Sequence, residues 1–406
     1  MKTTEDEQTA TPRPPTFRFP VGYYQLHEDP FLNFEMNRPF NRVGDETMLT
    51  EMRSIAPKIH TLADGAREFL VLAETALSRG EKLKAAYYYR SAEFFMTATD
   101  PQKQPARQRF LQLARMCYGI DVAQQLAIPY RDGNLSGTLP GYRFTPARPK
   151  DTLVIFGGFD SFMEEYIPMA FFFRDAGFDV VLFEGPGQGG ALEDAGLPLT
   201  HEWEKPTAAV LDHLGLSDVS LMGRSLGGYL VLRAAAFEPR VRRVIADDII
   251  FDYYACILHN VGADDRARFT AALDLKSAAA IAAMNAVLER GAQQSPLVAW
   301  NIQQGMHVMG VHTPFEYFQQ VRRYSAAEIS ARVEQDVLLL AASRDFGVPL
   351  EMFYRQIEAL SNVRSLTARL FTEAEQAQNH CEAGNVGLAL HVIVDWLNLI
   401  LTREPH

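Results

Sequence analysis

The chain has 406 residues, 47% of them hydrophobic and 22% charged, so a sizeable core is expected and a disordered chain is excluded. Its formal net charge of −11 argues against nucleic acid as a partner, because phosphates are repelled unless a local basic patch exists. The three cysteines, Cys117, Cys256 and Cys381, are far apart and lack metal-site spacing, which suits a reducing compartment and excludes a disulfide framework.

Residues 1–15 are polar and proline-bearing, without the blocks of a signal peptide, and read as a disordered tail. From about Asp45 to Ala127 the pattern is helical. Ala66–Leu77, Leu83–Ala98 and Gln104–Leu126 carry apolar residues at helical spacing, punctuated by Gly80, Pro101 and Pro105. Residues 16–129 are therefore expected to form an N-terminal helical cap or dimerisation domain. Beyond Pro129 the texture changes. Leu139–Thr145 can form a strand, limited by Pro140 and Gly141 to a short or edge one. Thr152–Phe156 ends in Gly157-Gly158, and Phe178–Phe183 ends in Glu184-Gly185-Pro186-Gly187-Gln188-Gly189. Val219–Met222 runs into Gly223-Arg224-Ser225-Leu226-Gly227, and a helix-friendly stretch, Tyr229–Phe237, follows. Val241–Ala246 ends in Asp247-Asp248, and Val337–Ala342 in Ser343-Arg344-Asp345. Ser365–Phe371 precedes the loop holding His380, and an amphipathic helix, Val386–Leu401, follows.

Short apolar strands alternating with helices imply a mainly parallel sheet with helices on both faces, its functional loops beyond the carboxyl ends of the strands. Residues 130–252 and 331–406 form this α/β core. Residues 253–330, rich in alanine, aromatics and methionine, read as a helical lid inserted between two strands. The cluster Arg240, Arg242 and Arg243 reads as a solvated strand edge. No apolar run approaches the ~20 residues of a membrane span, so the expectation is a cytoplasmic protein with no membrane partner.

The stretch Gly223 to Gly227 is the most informative. Strand, sharp turn and helix with a serine at the apex describe a nucleophile held in a strained, exposed conformation. A serine hydroxyl is a poor nucleophile until an imidazole takes its proton and a carboxylate fixes that imidazole. Asp345 and His380 follow Ser225 in the chain order this kind of sheet uses, each on a loop after a strand. Asp345 can also cap the helix starting near Pro349. An oxyanion needs fixed donors: the backbone N–H of Leu226, and that of Phe159 with Gly158 as the alternative. Asp160 is read as a substrate contact or an N-cap. The loop Gly185–Gly189 lacks the ending of a phosphate-binding loop and reads as a tight strand exit flanking the site. Asp247, Asp248 and Asp252 remain open. One of them can replace Asp345, serve as an extra acid or base, or be structural, with Asp248 foremost. Arg224, Phe251, Tyr253 and His307 are further candidate substrate contacts. No cofactor or metal is called for.

These motifs, with Asp345-Phe346-Gly347-Val348-Pro349 and His380, resemble the α/β-hydrolase superfamily over roughly residues 130–405. The N-terminal helices, Gly157-Gly158-Phe159-Asp160-Ser161 and the Gly-Pro-Gly-Gln-Gly loop are more narrowly similar to the group containing 2,6-dihydroxypseudooxynicotine hydrolase. Fungal hydrolases that shorten or release polyketides belong to the same group, and Ala377-Gln378-Asn379-His380-Cys381 resembles their histidine loop. The resemblance implies a Ser-His-Asp hydrolase acting on a small ketone or ester, with some members cleaving a carbon–carbon bond beside a ketone by a retro-Claisen route. It also implies an extra acid, for which Asp248 is the nearest match, and a homodimer paired through the helical regions. Carboxylesterase, lactonase, thioesterase and acyltransferase or cyclase activity use the same triad.

Overall fold

The computed structural model describes residues 19–275 and 277–403, so the tail expected over 1–15 lies outside the described residues. Eight segments pair into one sheet: β1 (Gln125–Asp132), β2 (Leu135–Phe144), β3 (Thr152–Phe156), β4 (Asp179–Phe183), β5 (Val219–Arg224), β6 (Val241–Asp247), β7 (Asp336–Ala342) and β8 (Ser365–Phe371). Their order is β1-β2-β4-β3-β5-β6-β7-β8. β2 runs antiparallel to both β1 and β4, and every other pairing is parallel.

The central strands are buried on both faces, which is why they read as continuous apolar runs. Their side chains alternate between two cores. Leu153, Ile155, Leu338 and Leu340 enter one, and Val154, Phe156, Val337 and Leu339 the other. The chain leaves β3 for β4 on one side, then returns to β5 on the other. Such a reversal opens a crevice at the carboxyl ends of the strands. The register Phe156↔Gly223 sets the loop after β3 beside the turn after β5.

Two groups of helices roof this crevice. Among the described residues five precede the sheet: Pro30–Val43, Thr47–Ile55, Leu62–Ser78, Lys82–Phe95 and Lys103–Tyr118. Five more, from Tyr253–Ile257 to Pro314–Val321, lie between β6 and β7. The groups meet where Trp300 stacks on Phe94, with ring centroids 4.6 Å apart, and donates its indole N–H to the Phe94 carbonyl at 3.2 Å. Among the described residues no single helix is long and apolar enough to cross a membrane.

Four details differ from expectation. The strand expected to be short or at an edge, β2, runs ten residues and lies between β1 and β4. The helix expected over Gln104–Leu126 ends at Tyr118, because Gly119 takes the left-handed conformation (φ 64°), and β1 starts at Gln125. Pro129 sits inside β1, which is tolerated because β1 is an edge strand whose unpaired side needs no N–H. Arg243 is not on a solvated edge. β6 is central, and the guanidinium is buried against Asp151 at 2.9 Å and Ser220 at 2.8 Å, so it neutralises a carboxylate inside the sheet layer.

Candidate active site

The turn after β5 is built by close packing. Ser225 has φ 58°, a left-handed conformation that costs about 1–2 kcal/mol for an L-residue. A Cβ on Gly223 would lie 2.0 Å from the Gly227 carbonyl oxygen, and one on Gly228 1.8 Å from that of Asp248. The Ser225 N–H donates to the Asp247 carbonyl at 2.8 Å. The hydroxyl is thereby held out at the head of the helix Gly227–Phe237.

His380 follows β8 and brings the distant segments together. Its Nε2 lies 2.8 Å from Ser225 Oγ, and its Nδ1 lies 2.6 Å from Asp345 Oδ2. Asp345 sits on the loop after β7, where its Oδ1 also accepts from the N–H groups of Gly347 (2.7 Å) and Val348 (3.0 Å). It therefore both fixes the loop before the next helix and reaches the imidazole.

A second carboxylate shares that imidazole. Asp248 Oδ2 lies 2.8 Å from His380 Nδ1 and accepts the Cys381 N–H at 2.6 Å. Burial pushes the Asp248 carboxyl up, with His380 opposing and Asp345 adding to the rise. Burial acts on Asp345 too, but the His380 charge and the Gly347 and Val348 amides outweigh it and hold Asp345 below the usual range. His380 resists charging because it is buried, yet Asp345, Cys381 and Asp248 together push it well above its ordinary value.

The neighbouring carboxylates are engaged elsewhere. Asp247 pairs with Arg224 at 3.1 Å, and Asp252 caps Tyr253–Ile257 by accepting from Ala255 N–H. Arg224 also donates to the Cys381 carbonyl at 2.7 Å, which ties the serine turn to the histidine loop. The only metal-type cluster among the described residues is Asp248, His380 and Cys381, with ligand atoms within 4.8 Å of one another. The two carboxylates already hold Nδ1 and Arg224 places a fixed cation beside the group, so it reads as a hydrogen-bond network.

The loop after β3, which carries Phe159, packs against the serine turn, which carries Leu226. Gly158 allows this approach, since a Cβ there would lie 2.7 Å from Leu226 N. Gln188 orients the loop: its amide donates to the carbonyls of Gly157 (2.7 Å) and Gly158 (3.1 Å) while accepting from Gly185 N–H. The Gly185–Gly189 loop is thus a brace for the site. Among the described residues neither Phe159 N–H nor Leu226 N–H donates to a protein acceptor, which leaves both for a bound oxyanion. Leu226 and Phe159 line the cavity above Ser225, whereas Gly158 does not.

That cavity has a volume of about 420 Å³. One wall is aromatic, from Phe31, Phe34, Phe159, Trp300 and Phe346. Phe34 meets the His380 ring edge-on, with centroids 5.7 Å apart. The lining also includes the polar side chains of Glu35, Arg38, Arg42 and Asp160. Of the candidate substrate contacts, Asp160, Arg224 and Tyr253 line the cavity. Phe251 does not: it is buried in the second core with the Arg355 guanidinium 4.5 Å above its ring. His307 is also elsewhere, its Nε2 2.7 Å from Glu193. Asp248 reaches His380 from the side away from Ser225 and does not line the cavity, so it is not placed to protonate a leaving group directly. The wall given by Pro30–Val43 went unread, although Asp29 as N-cap, Pro30 at the first position and Gly44 after the last turn mark that helix at both ends.

Sheet order, the sharp serine turn after β5 and the roofing helices define an α/β-hydrolase fold. The family model for the alpha/beta hydrolase fold matches residues 151–369. Hydrolase acrC of Aspergillus aculeatus is 30% identical over 75% of this chain and 76% of its own length. Hydrolase LUC6 of a Fusarium species is 27% identical over 92% and 97%. Among solved structures, 2,6-dihydroxy-pseudo-oxynicotine hydrolase superposes with a TM-score of 0.54 at 22% identity, covering 83% of this chain and 86% of that one. AbyA5 superposes with a TM-score of 0.65 at 17% identity, covering 92% and 95%. The chain belongs to the α/β-hydrolase family, in a group with these fungal hydrolases.

Proposed function

We propose that the chain is a serine hydrolase using Ser225, His380 and Asp345 as its triad, and that it cleaves a carbon–carbon bond beside a ketone in an aromatic or polyketide-like substrate. The observation that carries the triad is His380 bridging Ser225 at 2.8 Å and Asp345 at 2.6 Å below a cavity of about 420 Å³. His380 Nε2 takes the Ser225 proton as Oγ attacks the carbonyl. The N–H groups of Leu226 and Phe159 hold the oxyanion. Collapse expels the leaving group, and water, activated by His380, releases the acyl enzyme. The aromatic wall supports a flat, conjugated acyl part.

A second reading, cleavage of an ester, lactone or thioester with the same residues, is favoured by one observation: Asp248, the expected extra acid, faces His380 and not the cavity. Turnover of aryl β-diketones and aryl esters by the wild type and by Ser225→Ala separates the readings, alongside labelling with a fluorophosphonate probe. Loss of both activities in Ser225→Ala is expected. Activity that survives the substitution, or folded protein that takes no label, refutes the triad. Pairing of two copies through the N-terminal helices, where Val71 and Met116 are exposed apolar residues, is also proposed and is tested by sedimentation.

A further inference from the structure

Breaking a carbon–carbon bond demands a proton at a place the triad does not serve. The electron pair of the broken bond is left on an enolate, whose oxygen lies beyond the carbonyl that Ser225 attacks. His380 Nε2 points at Ser225 Oγ, and both Asp345 and Asp248 lie behind the imidazole at Nδ1. A cavity-facing acid is needed.

Two carboxyl groups line the cavity, Glu35 and Asp160. Asp160 is anchored as an anion, with Oδ2 held by Arg38 at 2.7 Å and Arg90 at 3.2 Å. Glu35 is different. Among the described residues its one cationic contact is a single nitrogen of Arg38, at 3.0 and 3.3 Å from its two oxygens. Arg38 also serves Asp160 and, at 3.1 Å, Glu165, so three carboxylates divide one guanidinium. Glu35 is the surplus acid of the group, with its side chain 7% exposed. Burial first, and Asp160 next to it, push its carboxyl up to about 7 against the pull of Arg38 and Arg90. The charged and titratable groups around it are Arg38 on its own helix, Arg90 on Lys82–Phe95, Asp160 and Glu165 after β3, and Tyr23 before the first helix. Position completes the case. Glu35 lines the same cavity as Ser225 and His380, and Phe34, the preceding residue, meets the His380 ring edge-on.

We propose that Glu35 is the catalytic acid that protonates the carbon leaving group, an inference that rests on the carbon–carbon reading above. Ser225 Oγ bonds to the carbonyl carbon and its proton passes to His380 Nε2. The tetrahedral oxyanion collapses, the carbon–carbon bond breaks, and its electron pair becomes the enolate. Glu35 gives its proton to the enolate oxygen, and the enol departs and ketonises in water. The Glu35 carboxylate then recovers a proton from the His380 imidazolium across the shared cavity. Neutral His380 takes a proton from the attacking water and returns it to Ser225. The net change is ketone plus water to acid plus shorter ketone.

The test uses the full chain with 1-phenyl-1,3-butanedione and p-nitrophenyl acetate, whose nitrophenolate leaves without a proton. In the wild type the diketone-to-ester ratio of kcat should decline as pH rises through about 7, since both reactions share His380 and only diketone cleavage needs the protonated acid. In Glu35→Gln the diketone-to-ester ratio of kcat should fall by about 10²-fold or more, with the alkaline decline gone and fluorophosphonate labelling of Ser225 reporting an intact triad. A ratio unchanged in Glu35→Gln, or a wild-type diketone-to-ester ratio that holds level above pH 7, overturns the proposal and leaves the triad standing. The wild-type profile decides the matter even where Glu35→Gln fails to fold. Ester turnover with no cleavage of any diketone sinks the carbon–carbon reading and this proposal together.

Discussion

Replacing Asp345 by asparagine should cost this enzyme less than the loss of a lone triad acid. Where one carboxylate orients the imidazole, its amide substitution lowers kcat by about 10⁴-fold. Here two carboxylates meet Nδ1, at 2.6 and 2.8 Å. At a charge separation of about 4 Å and an effective dielectric of about 20, each is worth about 4 kcal/mol to the imidazolium, so either alone supplies roughly half the hold. Asp345→Asn should therefore lose about 10²-fold in kcat, or about 2.7 kcal/mol, and the double variant with Asp248→Asn about 10⁴-fold. The double-mutant cycle is read with a nitrophenyl ester, so that acylation needs no leaving-group proton. A pH profile adds an independent check. Both carboxylates raise the His380 pKa, and catalysis needs neutral His380, so kcat/KM climbs with pH through that pKa. Removing either carboxylate lowers the pKa and moves the acid limb to lower pH. If Asp345→Asn alone falls as far as the double variant while Asp248→Asn stays near wild type, the shared-imidazole argument fails.

Three more outcomes are expected. Gln188→Ala removes the amide that holds the Gly157 and Gly158 carbonyls, so kcat should drop by about 10²-fold with the melting temperature largely kept, as for loss of an oxyanion donor. Gly228→Ala forces a Cβ to within 1.8 Å of the Asp248 carbonyl oxygen, and urea denaturation should show a loss of roughly 3 kcal/mol or more. Gly80→Ala, at φ 77° with no atom within 4 Å of the added carbon, should lose only about 1 kcal/mol in the same assay.

The sheet and the meeting of Ser225, His380 and Asp345 were legible because each of the three residues sits on a loop after a strand that reads locally. Thr152–Phe156 matches the expected bounds, since an uninterrupted apolar run between turn residues leaves little choice, and Ser365–Phe371 and Val386–Leu401 match theirs as well. β1 was missed because Pro129 and the polar flanks Gln125 and Arg131 hide an alternation that buries Ile128 and Tyr130. The helix Pro30–Val43 was missed because Pro39 and three asparagines weaken its helical pattern, and burial of Asn33, Asn37 and Asn41 is a tertiary outcome. With it went Phe34, Glu35 and Arg38. The double contact on His380 was not legible either. Asp248 and Asp345 lie on the loops of adjacent parallel strands, and only the β6–β7 register brings them to one nitrogen.

The seam between Trp300 and Phe94 has a practical corollary. The chain has three tryptophans, and Trp203 and Trp396 are sealed in the cores while Trp300 borders the cavity. Its emission will shift when a guest enters or when the roof parts, so the molecule comes with an optical gauge already installed at its doorway.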